Sequence, residues 1–146
     1  MTELEPVAFP FVDANLNLPG SSLIPLLPLL LSHQGQQLST TGMLDTGASI
    51  NVLPYSLGLE LGLNWEDQHH PIILAGNLAQ IPARGIVLTA TVASFPPVRL
   101  AFAWVQTDHV RLLLGQVNFF QEFNVCFFRS QSMFELTLRS QVLIQW

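Results

Sequence analysis

Apolar residues in this chain come in short runs, and nearly every run is cut by a turn former. With 10 Pro and 9 Gly in 146 residues, no stretch sustains a helical period for long. Where the pattern is regular, its period is two. Ile86, Leu88, Ala90 and Val92 share one parity, with Thr89 and Thr91 on the other. Leu100, Phe102 and Trp104 alternate with Ala101, Ala103 and Val105, and Phe134, Leu136 and Leu138 with Glu135, Thr137 and Arg139. Val7 to Val12 reads as an edge strand. Leu26 to Ser32 reads as a strand that must lie on an edge where Pro28 interrupts its donors. His33-Gln34-Gly35-Gln36 reads as a turn, and Leu38 to Leu44, Ile50 to Leu53 and Arg111 to Leu114 as further strands. Two short helices are expected. One runs from Pro54 to Leu61, with Pro54 in its first turn and Gly62 closing it. The other runs from Gln116 to Phe123, with Phe119, Phe120 and Phe123 on one face as core residues. The expected fold class is mainly β, a closed barrel or sandwich with one or two short helices.

Length supports one domain. It divides into an N-terminal arm (1–20), a folded domain (21–139) and an apolar C-terminal tail (140–146). The residue set AVILMFWYC makes up 49% of the chain and charged residues only 10%, which excludes a disordered coil. So few charges mean a neutral-polar surface, or apolar surface covered by a partner. Five scattered Arg, no Lys and a net charge of −5 argue against a nucleic-acid partner. The single Cys excludes an intrachain disulfide. Cys126 sits in an apolar run and is expected to be a buried small hydrophobe. No metal or cofactor is expected. His69-His70 are neighbours on a loop that point apart, with no Cys or carboxylate at ligand spacing. Asp108-His109 reads as the turn of a hairpin between Trp104 and Leu112. Leu23 to Leu31 is the most apolar run, but it is half the length of a spanning helix and holds Pro25 and Pro28. A soluble cytoplasmic protein with no membrane contact is the expectation.

One stretch carries chemistry. Asp45-Thr46-Gly47 follows the apolar Met43-Leu44 and precedes Ile50-Asn51-Val52-Leu53. An Asp at such a junction can be held by backbone N–H groups, Gly47 lets the chain turn closely, and the Thr46 hydroxyl can lock the loop. Taken alone, the tripeptide also fits a simple Asx turn between strands.

In context, Gly42-Met43-Leu44-Asp45-Thr46-Gly47-Ala48-Ser49 resembles the active-site loop of retropepsin-like aspartic proteases. Leu112-Leu113-Leu114-Gly115-Gln116 resembles the family's hydrophobic-hydrophobic-Gly strand and the start of its C-terminal helix. Ile72 to Val92 has the place and length of the family's flap hairpin. The resemblance runs from about Leu23 to Leu138. It implies that Asp45 is catalytic, supported by Thr46, Gly47, Ala48 and Ser49. It implies a flap tip at Ala75, Gly76, Asn77, Leu78 and Ala79, and a second loop element at Leu113, Leu114 and Gly115, where Gly115 lets the later strand pass close beneath the Asp loop. Viral relatives pair an acid and a base where this chain has Ser49 and Gln116, so a hydrogen bond between these two is expected instead.

Aspartic-protease chemistry needs two carboxylates sharing a proton. The chain has four Asp, and only Asp45 lies in the motif. The resemblance therefore implies a homodimer, one Asp45 from each subunit, acting on an extended peptide. The N-terminal arm and the tail Val142-Leu143-Ile144 with Trp146 are the expected interface strands. Because Ala48 has no hydroxyl to donate to the pair, activity at weakly acidic pH is expected. A catalytically silent domain of the same fold, used for dimerisation or peptide binding, is the alternative.

Overall fold

Six strands close on themselves, and loops between them build the site. The computed structural model describes residues 5–14 and 23–139. The tail 140–146 and residues 1–4 and 15–22 lie outside the described residues. In chain order the strands are β1 (Val7–Pro10), β2 (Val12–Asp13), β3 (Leu23–Ile24), β4 (Leu26–His33), β5 (Gln36–Leu44), β6 (Asn51–Leu53), β7 (Ala83–Thr91), β8 (Val98–Val105), β9 (Leu113–Leu114), β10 (Phe123–Phe128) and β11 (Met133–Leu138). Helix α1 is Tyr55–Glu60 and α2 is Phe119–Glu122. The barrel order is β4-β5-β9-β6-β8-β7, and β1-β11-β10 form a separate three-stranded sheet. The mainly β class expected from the sequence is the one observed.

Alternation explains most of the barrel. Leu27, Leu29 and Leu31 of β4 point inward, as do Ile86, Leu88 and Ala90 of β7 and Leu100, Phe102 and Trp104 of β8. Pro28 is exposed, at a point where β4 pairs with β5 but not with β7. The β4–β5 hairpin turns through Gln34 and Gly35, both at positive φ (47° and 84°), which suits glycine at the second position. Pro54 caps α1, and Gly62 follows it at φ 78°. Trp104 lies against Gly58 of this helix so closely that a Cβ there would overlap its ring.

β8 departs from simple alternation, because Ala103 and Val105 are as buried as Phe102 and Trp104. A second apolar cluster covers the barrel's outer face. It joins Val52, Ala83, Ala103 and Val105 to Ile50, Ile72, Leu74, Leu78, Ile81, Val110 and Leu113. The site stands on this cluster.

Three sequence expectations are corrected. Trp104 and Leu112 do not flank a hairpin: β9 pairs with β5 and β6, not with β8, so Thr107 to Leu112 is a crossing loop. The second helix shrinks to α2, because Gln116 and Val117 are held by backbone bonds to the Asp45 loop. Cys126 is exposed, because β10 has β11 on one side only and its outer face is uncovered. Phe119 and Phe123 are core, as expected, and stack 5.0 Å apart.

Candidate active site

The chain leaves β5 at Leu44, turns at Asp45-Thr46-Gly47 and re-enters the barrel as β6. Between these two strands lies β9, parallel to β5 and antiparallel to β6. The turn is therefore clamped from both sides. The Asp45 amide donates to the Leu114 carbonyl at 3.0 Å, and the Ala48 amide to the Asp45 carbonyl at 3.1 Å. The Gly47 amide donates to Asp45 Oδ1 at 2.9 Å, which fixes the orientation of a half-buried carboxylate.

The strand beneath the turn comes from the far end of the chain. Gln116 N–H donates to Ala48 O at 2.9 Å, Val117 N–H to Ser49 O at 3.0 Å and Asn51 N–H to Val117 O at 2.9 Å. Gly115 passes so close that a Cβ on it would stand 2.7 Å from the carbonyl oxygens of both Ala48 and Ile50. The expected exchange between Ser49 and Gln116 side chains is replaced. Gln116 Nε2 reaches one turn further and donates to Thr46 O at 2.9 Å, so a neutral side chain ties the second element to the tip of the loop.

Asn51 was not singled out in the sequence, and it is the one fully buried polar residue described. Its Oδ1 accepts from Gly115 N–H at 2.7 Å, and its Nδ2 donates to Ala101 O at 2.9 Å and Asn118 Oδ1 at 3.3 Å. Asn118 Oδ1 also accepts from Ala101 N–H at 2.9 Å, and its Nδ2 donates to Arg99 O at 2.9 Å. The pair bolts β8 and the Gly115 turn to the strand that follows Asp45. Replacing Asn51 by Ala strands a buried amide and part of Asn118, at a cost of about 2–4 kcal/mol. A lowered urea midpoint at unchanged m-value checks it.

Above the turn lies an open cleft of about 380 Å³. Asp45, Gly47, Ala48 and Ser49 form its floor, with Ala75, Asn77 and Leu78 from the loop before β7 and Leu113 from β9. Ile50, Val52, Leu74, His109 and Val110 complete it. The other residues named from sequence lie around the lining. Thr46 is exposed at the turn, Leu114 is buried in the barrel, and Gly115 backs the loop. Gly76 and Ala79 are exposed on the loop before β7, which holds a short 3₁₀ turn, Gly76–Leu78. The ends of this loop are joined by the Pro71–Arg84 bridge and by Ile72 N–H to Ala83 O at 2.9 Å. His109, read from the sequence as part of a hairpin turn, stands at the cleft instead. Its neighbour Asp108 is turned away and accepts from the Ser56 amide of α1 at 2.8 Å. No group of side chains suited to a metal is found among the described residues, and none of their helices is long and apolar enough to cross a membrane.

A closed barrel with an inserted β9 and an Asp-Thr-Gly turn clamped against it is a retropepsin-like fold. Solved structures agree. A retropepsin-like aspartic protease from Rickettsia conorii superposes with a TM-score of 0.61 at 15% identity, over 92% of this chain and 92% of its own. EIAV protease complexed with the inhibitor HBY-793 superposes with a TM-score of 0.51 at 17% identity, over 75% of this chain and 92% of its own. No protein-family profile and no curated protein matches the sequence. At such identities the likeness is one of fold.

Proposed function

We propose that the protein is a homodimeric aspartic endopeptidase, with Asp45 of each subunit forming the catalytic pair. The observation that carries the proposal is Asp45 itself. It is half-buried, oriented by Gly47, and faces an apolar cleft under a flap. In such a pair one carboxylate takes a proton from water as the oxygen attacks the scissile carbonyl carbon. The other gives its proton to the carbonyl oxygen. Collapse of the diol breaks the C–N bond and delivers a proton to the leaving amine. An extended peptide fits between turn and flap, with apolar side chains set on Ala48, Leu78 and Leu113.

A twin subunit also answers the surface. Val117, beside the Asp45 loop, is 45% exposed, and Phe127 and Phe128 are 41% and 37% exposed on β10, whose outer edge has no strand partner among the described residues.

The test is subunit mixing. At fixed total protein, a re-equilibrated equal mixture of wild type and Asp45→Asn should retain about one quarter of the activity of wild type alone, because half the particles then carry one Asp45 and a quarter carry none. Retention of half would mean that each chain works alone and would overturn the dimer.

A further inference from the structure

Among the described residues the cleft lining has two titratable side chains, Asp45 on the floor and His109 at the rim. Everything else in it is apolar, small or neutral: Ile50, Val52, Leu74, Leu78, Val110 and Leu113 supply the walls. We propose that His109 is a specificity-determining residue that selects peptides carrying an acidic side chain a short way from the apolar residues at the cleaved bond. The proposal rests on the endopeptidase reading above and adds the substrate class.

The loop holds His109 in place while leaving its ring free. The His109 amide donates to Thr107 Oγ1 at 3.1 Å, and Val110 packs into the apolar cluster under the flap. His109 itself is exposed. Among the described residues no neighbouring charge of the lining engages it. On its own loop, Asp108 is engaged at the start of α1, and Arg111 is exposed outside the lining. The flap residues of the lining, Leu74, Ala75, Asn77 and Leu78, carry no charge, and His69 and His70 lie outside it. Across the cleft stands only Asp45. An imidazole ring donates an N–H to a carboxylate, and His109 is the one side chain of the described lining that can bear positive charge. A peptide carboxylate crossing this rim meets that ring. A two-fold axis through the Asp45 pair repeats His109 on both sides of the cleaved bond, so the acid preference should appear at equivalent positions toward either end of the peptide.

The test uses matched peptides with a fixed apolar cleavage site and Glu, Gln or Lys walked through the flanking positions. Wild type should favour Glu over Gln by about three- to fivefold in kcat/KM at one position on each side, the size of an exposed ion pair. His109→Ala should bring that ratio to about one, and His109→Glu should shift it toward Lys, as expected when the charge at the rim reverses. A Glu/Gln ratio that survives in His109→Ala at every position overturns the proposal. The same peptides are titrated onto the Asp45→Asn protein. A Glu preference in binding that disappears on adding His109→Ala, with no cleavage by wild type, supports the His109 assignment while refuting the peptidase. Cleavage without a Glu preference does the reverse, and neither cleavage nor binding refutes both.

Discussion

Asp45→Asn is expected to lower peptide cleavage by at least about 10³-fold, with no comparable loss of fold. In the proposed dimer the substitution acts on both subunits at once, so the pair would lose its base and its acid together. Nothing in the lining replaces them: His109 is the other titratable group there, and it stands at the rim. The turn keeps its shape, because an Asn Oδ1 still accepts from Gly47 N–H, the bond that holds Asp45 at 2.9 Å. The measurement is kcat/KM on an apolar peptide, beside a thermal melt of the same sample. Undiminished cleavage would remove Asp45 from the chemistry, whereas a melt lowered by more than a few degrees would mean that the loop, and not the carboxylate, had been lost.

Gly115→Ala is expected to show the largest effect on stability. Its Cβ would sit 2.7 Å from two carbonyl oxygens, and both belong to backbone that Gln116, Val117 and Asn51 already hold by hydrogen bonds. A flexible side chain could step aside, but this frame cannot. Either the Asp45 loop lifts or the turn after β9 opens, at a cost of about 3 kcal/mol or more. Activity should fall together with the melting temperature. An Ala variant as stable as wild type would show that the close approach is not needed.

The parts of this architecture that a sequence can carry locally were legible before the fold was known. Parity placed the inward residues of β7 and β8, the Gln34-Gly35 turn stood out, and Asp45-Thr46-Gly47 was visible as a loop between apolar strands. The Leu113-Leu114-Gly115 element was seen at its place in the order, and Gly115 was expected to lie close under the Asp loop. What escaped was long-range. Asn51 looks like one polar residue in a strand-like run, because its partner amide lies 64 residues on at Gly115 and leaves no local mark. His109 looked like a hairpin turn because strands adjacent in sequence usually pair. Here β9 leaves its predecessor and inserts between β5 and β6. Cys126 was misjudged because hydrophobic neighbours signal a strand but not whether both its faces are covered.

The insertion of β9 has a bearing on how the chain is made. Leu44 finds its parallel neighbour at Leu114, and the amide of Asp45 its acceptor there too. A ribosome emitting this polypeptide delivers the acidic turn long before the segment that seats it, and bringing such distant stretches together is the slow part of folding a β topology. Until that late segment emerges, the carboxylate hangs on an unbraced loop. A nascent copy therefore lacks the seated Asp45 turn until the segment through Leu114 has been made.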